Sequence, residues 1–327
     1  MFKKVLYLIF FVMMLLASCG LNGSDFDNPA VMTEYGGELY YCNINTDTGN
    51  VCLTDSKGTH IAESGKISEL TRIDDNIFFA AYDRQNNSDN GAAGNFTEIY
   101  KYSVTDNTTE QLGIIDDLLT GSDLLGDTLN ETRIWEMDGK TFVFMNYKVY
   151  IIDGETVSEL PEQYSSVCLD KNKIYYHVAG GDNKLCSYDA LTGKNTILWE
   201  QGDELPEYAA AVLGGGFTAY KLSVLNDRLY FIMGAGAPIG WLCYTELDSP
   251  HKIYMVENVP AMRDYAVDGS GVIYYTTDRG VYSFDGNDIS ELTDGYATDL
   301  YIGTDKLYCT MQKSDQRGFE VRTFELS

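Results

Sequence analysis

A strand pattern of aromatic and β-branched residues recurs along the chain, and it constrains the fold more than any other feature of the sequence. In its clearest copy, residues 272–286, the run VIYYTTD is followed across a short charged turn by GVYSFDG. Apolar and aromatic residues at alternating positions between turn residues predict short β-strands. The central strand of the pattern occurs seven times: ELYYCNI (38–44), NIFFAAYD (76–83), KTFVFMN (140–146), KIYYHVAG (173–180), RLYFIMGA (228–235), VIYYTTD (272–278) and KLYCTMQ (306–312).

Each copy of the pattern predicts a unit of up to four strands. One candidate strand precedes the central strand across a polar turn, a third follows it, and in most units a fourth comes next. Repetition of such a unit is typical of a β-propeller. A single blade can cover both of its faces only by stacking on neighbouring blades. The predicted first strands start near residues 31, 69, 133, 165, 220, 263 and 298.

The sequence therefore predicts an all-β fold: a β-propeller with seven blades of four antiparallel strands. The last unit stops one strand short, at FEVRTFEL (319–326), so we expect an incomplete last blade. A six-bladed ring and a two-sheet sandwich are the alternatives. The 25 tyrosines, 31 glycines and 6 prolines suit strands joined by tight turns.

The N-terminal segment MFKKVLYLIFFVMMLLASCG predicts export. Two lysines precede an uncharged apolar run that is too short to span a bilayer comfortably and is typical of a secretory signal. The sequence LASC (16–19) resembles the lipobox of bacterial lipoproteins. This resemblance implies a signal peptide at 1–18, a lipidated Cys19 as membrane anchor with a polar tether at 19–28, and one propeller domain at 29–327. We expect the protein on the outer face of the cytoplasmic membrane, or as a periplasmic or outer-membrane lipoprotein in a Gram-negative cell.

The formal net charge is −26, from 49 acidic and 23 basic residues. Removal of Lys3 and Lys4 with the signal peptide would make it −28 (21 − 49). So acidic a surface repels nucleic acid, and we expect no nucleic-acid partner. Solubility through self-repulsion is one interpretation of the charge, and attraction of cations or basic partners is the other.

Residues 274–278, Tyr-Tyr-Thr-Thr-Asp, are similar to the YWTD repeat of propellers of the low-density-lipoprotein-receptor type. The other copies, such as LYYCN and IYYHV, depart from that motif because they lack the Thr-Asp pair. Over residues 31–327 the chain resembles a bacterial lipoprotein family of unknown function that is described as receptor-related-protein-like β-propellers. The resemblance implies an extracytoplasmic propeller and transfers no activity and no site residues.

Long insertions at 83–96, 115–131, 200–216 and 234–240 predict a binding rim. In a propeller, connections from second to third strands and from fourth to next first strands share one face, and these four insertions fall in such connections. The rim would carry Asp116, Asp117, Asp123, Asp127, Asp203 and Glu204. The predicted binding residues at the rim and channel mouth are Glu69, Phe96, Arg133, Tyr208, Tyr220, Trp241, Arg263, Asp264 and Asp299. A polar or zwitterionic ligand would suit this mixture, and structural ion pairs are the alternative.

The cysteines and histidines predict little chemistry. Cys42 and Cys52 flank NTDTG, so they could face each other across a hairpin and form a disulfide, buried thiols being the alternative. His60, His177 and His251 fall on different units without the spacing of a metal site or of a catalytic triad. We therefore expect no metal, no cofactor and no evident catalysis.

The functional expectation is a membrane-anchored, extracytoplasmic binding or scaffold module for a protein or glycan ligand. Two alternatives remain open. One is a carbohydrate-active propeller that uses acidic rim residues, and the other is a sensor or assembly factor for an envelope complex.

Overall fold

The computed structural model contains 28 strands in the part of the chain that it describes, and they form seven antiparallel sheets arranged as a β-propeller. The seven blades and the incomplete last blade are confirmed, whereas the six-bladed ring and the sandwich are wrong. The signal sequence, Cys19 and the tether lie outside the described residues. The described residues are 32–44, 48, 50–68, 70–82, 96–117, 132–160, 163–178, 183–189, 191–213, 216–234, 239–312 and 319–326.

The blades follow one another in chain order. Blades 1 to 3 comprise β1 (Met32–Tyr35), β2 (Glu38–Ile44), β3 (Val51–Asp55), β4 (His60–Ser64); β5 (Lys66–Ile67), β6 (Thr71–Ile73), β7 (Asn76–Tyr82), β8 (Thr97–Ser103), β9 (Thr108–Ile115); and β10 (Arg133–Met137), β11 (Lys140–Met145), β12 (Lys148–Asp153), β13 (Thr156–Glu159). Blades 4 and 5 comprise β14 (Tyr164–Asp170), β15 (Lys173–Val178), β16 (Lys184–Asp189), β17 (Lys194–Glu200); and β18 (Thr218–Leu225), β19 (Arg228–Gly234), β20 (Trp241–Glu246), β21 (Tyr254–Met255). Blades 6 and 7 comprise β22 (Asp264–Val267), β23 (Ile273–Thr276), β24 (Gly280–Phe284), β25 (Ile289–Asp294); and β26 (Ala297–Ile302), β27 (Lys306–Gln312), β28 (Phe319–Glu325).

Two local features depart from the regular four-strand blade. The first strand of blade 2 is split into β5 and β6, both of which pair with β7. A short helix, α1 (Glu207–Leu213), lies in the connection between blades 4 and 5. Within the described residues, no helix is long and apolar enough to cross a membrane.

Tight turns join the first and second strands of several blades, as the polar dipeptides predict. Asn226 and Asp227 both have positive φ, at 50° and 58°. Asp138 and Gly139 do as well, at 53° and 72°. Two consecutive positive φ values are what a two-residue hairpin of the type I′ class requires, because its twist matches that of the flanking strands. These turns keep the first two strands of a blade in register.

Apolar cores lie between consecutive blades. In blade 1, Cys42 and Leu53 pack with Ile77 and Phe79 of blade 2. Trp199 of blade 4, which is fully buried, packs with Phe231 of blade 5 in the largest such core. Similar buried clusters join blades 2 and 3, 3 and 4, 5 and 6, and 6 and 7. Blades 2 to 6 therefore each supply one face to each of two cores, which is why the aromatic strand pattern recurs.

The junction between blades 7 and 1 contains buried hydrogen bonds. The Glu34 carboxylate, which is 2% exposed, accepts hydrogen bonds from the Thr304 backbone N–H (3.2 Å) and the Tyr308 hydroxyl (3.1 Å). The Tyr301 hydroxyl accepts one from the Glu34 backbone N–H (3.1 Å). A Cβ atom at Gly303 would lie 1.8 Å from a Glu34 oxygen, so any larger residue there would have to displace this carboxylate. Blade 1 supplies its own four strands, and among the described residues no strand is exchanged between the two ends of the ring.

The predicted disulfide between Cys42 and Cys52 is wrong, because the hairpin register differs from the expected one. Cys42 lies opposite Leu53, and Cys52 lies opposite Asn43. Neighbouring positions on a strand point to opposite faces of the sheet. Cys42 therefore faces the core shared with blade 2, whereas Cys52 lies on the other face of blade 1, and no disulfide joins them.

Candidate functional site

A cleft of about 650 Å³ lies between blades 5 and 6. Part of its lining comes from strand ends and connections on one face of the ring: Arg228 starts β19, Lys252 precedes β21, and Gly271 and Gly286 lie in connections of blade 6. All of these belong to connections from first to second or from third to fourth strands. The cleft is therefore on the face opposite the predicted rim. We call it the tyrosine cleft, and its other main lining residues are Glu204, Glu207, Tyr230, Tyr244, Tyr254, Met255, Val256, Glu257, Ile273 and Phe284.

Three tyrosines form a row across blade 5. Tyr230 lies directly opposite Tyr244 on the neighbouring strand, and Tyr244 lies directly opposite Tyr254 on the next. Their ring centroids are 5.6 Å and 5.1 Å apart, and the second pair is stacked at 16°. Residues directly opposite one another in antiparallel strands project from the same face, so the register itself creates this row.

Two cations flank the row of tyrosines, and each is paired with a carboxylate. The Arg228 guanidinium lies 4.5 Å from the Tyr244 ring centre, and the Lys252 ammonium lies 5.0 Å from that of Tyr254. Arg228 also contacts Glu246 at 3.2 Å. The Lys252 ammonium contacts Glu204 at 2.6 Å, and this hydrogen bond raises the pKa of Lys252. The cleft thus combines phenol rings with both signs of charge.

Apolar side chains form the remaining wall of the cleft. Ile273 and Phe284 of blade 6 are buried in the core that this blade shares with blade 5. Val256 of blade 5 packs against the same core. The fourth strand of blade 5, β21, is only two residues long and borders the cleft at this wall.

The insertion between blades 4 and 5 reaches this cleft from the other side of the ring. The Glu204 backbone N–H donates to the His251 carbonyl (3.3 Å), and the Ile253 N–H donates to the Glu204 carbonyl (3.0 Å). The Asp203 carboxylate lies 2.8 Å from the His251 ring. The structure thus places Asp203 and Glu204 against the connection between β20 and β21, which differs from the channel rim predicted for them.

Three predicted channel-mouth residues come together where blades 6 and 7 meet. Asp264 is 3% exposed and accepts a hydrogen bond from the Leu300 backbone N–H (2.9 Å). Asp264 and Asp299 both raise the pKa of the neighbouring Cys309 thiol, after the larger effect of burial. Arg263, which directly precedes β22, contacts Asp278 at 2.6 Å. The Asp264 and Arg263 contacts hold neighbouring strands together, and ligand binding by this group stays a prediction.

The other predicted rim residues are dispersed. Tyr220 is buried on β18, and Arg133 is half-buried at the start of β10. Trp241 packs against the core of blades 4 and 5, and Phe96 is half-buried just before β8. Asp117 accepts a hydrogen bond from the Tyr150 hydroxyl (2.6 Å), within blades 2 and 3. Glu69, Asp123, Asp127 and the side chain of Tyr208 lie outside the described residues.

Sequence reasoning also missed a buried polar trio in blade 4. The Ser165 hydroxyl is in a short hydrogen bond with Nδ1 of His177, and Nε2 of His177 lies 3.4 Å from the Asn183 Oδ1. Asn183 in turn donates to the Phe217 carbonyl (2.5 Å) next to blade 5. His177 is fully buried, and burial lowers its pKa to about 4. Through Asn183, this buried trio with its neutral histidine ring joins blade 4 to the start of blade 5.

The described structure resembles other propellers, while no family model and no curated protein matches the sequence. The propeller domain of the Trilobed protease from Pyrococcus furiosus, described as having an open velcro topology, matches with a TM-score of 0.57 and 13% identity, covering 92% of this chain and 97% of that one. A puromycin-hydrolyzing peptidase of Mycobacterium tuberculosis matches with a TM-score of 0.59 and 10% identity, covering 94% of this chain and 54% of that one.

A third similar structure is an extracellular domain. It belongs to a protein of B. thetaiotaomicron described as a one-component system, and it matches with a TM-score of 0.51 and 14% identity over 90% of this chain and 38% of that one. This chain therefore spans about two fifths of that protein and about half of the peptidase. At such low identity these similarities show the propeller fold alone. The resemblance to the YWTD type and to the lipoprotein family stays a prediction.

Proposed function

We propose that this protein is a binding module of the bacterial cell envelope, anchored by a lipid on Cys19, which takes a partner in the tyrosine cleft. The propeller fold supports a binding or scaffold role, because a closed ring gives rigid support to surface clefts and loops. The observation that carries the proposal is the row of Tyr230, Tyr244 and Tyr254 with Arg228 and Lys252 over the last two rings.

The chemistry of the cleft favours a polypeptide segment that carries both apolar and charged side chains. The volume of about 650 Å³ lies within the range of about 300 to 1,000 Å³ that ligand sites occupy. Tyrosine and arginine are enriched at the energetic centres of protein interfaces. The pairs Arg228–Glu246 and Lys252–Glu204 can each offer one partner to an incoming charge of either sign.

Capture of envelope proteins by the purified full chain tests this function. Tyr244→Ala removes the middle ring of the row. Tyr100→Ala is the control, because Tyr100 also lies on a third strand and stacks on an aromatic ring of the second strand, Phe79 at 5.4 Å, but in blade 2, away from the cleft. A residue at the centre of an interface contributes about 2 kcal/mol or more, which is about a 30-fold change in affinity.

We expect Tyr244→Ala to lose a partner that the wild type and Tyr100→Ala both retain, with the affinity of the isolated partner reduced about 30-fold or more. Equal capture by all three proteins would show that the tyrosine cleft is not the binding surface. Far-UV circular dichroism and thermal unfolding of both variants separate loss of binding from loss of the fold.

Glycan binding is the second candidate function. Phenol rings present an apolar body and a polar hydroxyl, which suits a sugar, and the carboxylates of Glu204, Glu207 and Glu257 line the same cleft. A glycan array with a hydrolysis readout distinguishes the possibilities. Binding without turnover supports a lectin-like module, turnover that depends on these carboxylates supports a glycosidase, and no binding excludes both.

The lipid anchor requires its own test, because it rests on the sequence of residues 1–19. Cys19→Ala removes the thiol that would carry the diacylglyceryl group. We expect the variant to lose lipid labelling and to leave the membrane fraction or accumulate as an unprocessed precursor. A variant that is normally processed and still membrane-bound would contradict the anchor and leave the cleft proposal standing.

A further inference from the structure

A cysteine, a histidine and a glutamate meet on the outer strands of blade 1. The Cys52 sulfur, a ring nitrogen of His60 and a carboxylate oxygen of Glu63 all lie within 4.8 Å of one another. Nε2 of His60 and Oε2 of Glu63 are 3.5 Å apart. We propose that these three side chains bind a divalent metal ion of the zinc class. The inference is independent of the tyrosine cleft.

A β-bulge brings the three residues to one face. Cys52 lies opposite Glu63, as regular pairing requires, and Leu53 lies opposite Ala62. The register then shifts, so that Thr54 lies opposite His60 and Ile61 is the extra residue. Without the bulge, His60 would point to the other face, because alternate positions point alternately. The spacing His60-x-x-Glu63 therefore does not suggest a shared face when it is read as a regular strand.

Hydrogen bonds from the preceding turn hold the Glu63 carboxylate. Oε1 of Glu63 accepts from the Thr48 hydroxyl (2.9 Å) and from the Asn50 side-chain amide (3.1 Å). These two bonds fix the orientation of the carboxylate. The other oxygen, Oε2, is the one nearest to His60. Such outer hydrogen bonds orient metal-ligating side chains in known metal sites.

The donor set fits zinc better than calcium or magnesium. Zinc binds thiolate, imidazole and carboxylate at about 2.0 to 2.3 Å in tetrahedral geometry, which places neighbouring ligand atoms about 3.5 Å apart. The His60–Glu63 pair already has that spacing, and Cys52 needs only a small side-chain adjustment. Calcium and magnesium are bound by oxygen ligands, so a thiolate does not suit them. Three protein ligands leave one position for water or another donor.

The exposures of the residues allow an ion to enter. The side chains of His60 and Glu63 are 55% and 28% exposed, whereas Cys52 is 8% exposed. Cys52 lies on the face of blade 1 that is turned away from blade 2 and towards blade 7, which has three strands. The net charge of −26 raises the local concentration of cations around the whole protein. An ion can thus approach from solvent and meet the thiolate last.

Cobalt(II) titration of the full chain, purified in detergent and kept reduced, tests the site. Cobalt(II) replaces zinc in tetrahedral sites, and a thiolate ligand adds a charge-transfer band in the near ultraviolet. We expect one equivalent of cobalt to produce this band and one equivalent of zinc to abolish it. Cys52→Ser should remove the band, and His60→Ala and Glu63→Gln should each weaken binding about tenfold or more.

The matched control is His251→Ala. The His251 side chain is 54% exposed and pairs with Asp203 at 2.8 Å, much as His60 pairs with Glu63, but no cysteine joins them in a metal-binding group within the described residues. We expect this variant to bind cobalt as the wild type does. If Cys52→Ser fails to fold, His60→Ala and Glu63→Gln decide the question, because both side chains are on the surface.

Three results would overturn the metal site. The first is a cobalt titration without a thiolate band. The second is a band that persists in Cys52→Ser, which would assign it to another cysteine. The third is an affinity that changes no more in His60→Ala and Glu63→Gln than in His251→Ala.

Discussion

Protonation of the buried His177 should make the protein less stable in mild acid. The ordinary histidine pKa of 6.5 applies to the unfolded chain, and burial lowers the folded value to about 4. Between these two values the unfolded state binds more protons than the folded state, so stability falls as the pH decreases through this window. Above about pH 6.5 the ring is neutral in both states and does not reduce the free energy of unfolding. Below about pH 4 this free energy has fallen by the full amount.

The size of the effect follows from the shift of the pKa. One pKa unit corresponds to about 1.4 kcal/mol, so the full loss is about 3 kcal/mol. Between about pH 7.5 and about pH 5, His177 should lower the free energy of unfolding by about 2 kcal/mol. His177→Gln can retain hydrogen bonds to Ser165 and Asn183 but cannot take up the proton. Its free energy of unfolding should therefore fall by about 2 kcal/mol less than that of the wild type over the same pH interval.

Urea unfolding at the two pH values measures this difference. Fluorescence of Trp199 is a suitable probe, because its ring lies 5.0 Å from Phe217, on which His177 stacks. Any constant cost of the substitution cancels, since the comparison is between the pH dependences of the two proteins. His251→Gln, at an exposed histidine, should behave as the wild type does. If the wild type and His177→Gln change in parallel to within about 0.5 kcal/mol, the assignment of a low pKa to a buried neutral ring is refuted.

Two further predictions concern packing and ring closure. Glu34→Ala should lower the free energy of unfolding by about 2 to 4 kcal/mol, because it removes the buried acceptor of Tyr308. Tyr308→Phe should lower it by only about 1 kcal/mol. Urea unfolding measures both values, and equal small effects of the two variants would contradict the role of the carboxylate. Gly280→Ala should lower the free energy of unfolding by about 2 kcal/mol or more, since its Cβ atom would lie 2.3 Å from the Thr293 carbonyl oxygen. Gly269→Ala, with open space around it, should change the melting temperature little. Similar melting temperatures for the two variants would contradict this packing argument.

The strands were predictable because their pattern is local. Alternation in runs such as RLYFIMGA places one set of side chains towards each neighbouring blade, and the number of runs gives the number of blades. The three described strands of blade 7 could also be predicted, because each of them follows the strand pattern of the other units. These features require no knowledge of contacts between distant segments.

The candidate sites were not predictable, because they depend on register and on the paths of connections. A shift of one residue in the first hairpin places Cys52 on the face opposite Cys42, and a single extra residue in β4 then brings His60 beside it. The connection after β17 is directed to the far face of the ring by its pairing with residues 251–253. The row of Tyr230, Tyr244 and Tyr254 could have been found from the strand pattern if the opposite positions in blade 5 had been aligned.

The way in which the ring closes bears on how the chain can be made. Blade 1 has all of its strands within residues 32–64, so it need not wait for a segment that is synthesised some 250 residues later. Each blade can form from neighbouring hairpins as it is synthesised, and the last event is the docking of blade 7 against blade 1. An early intermediate would then expose one blade flank at a time.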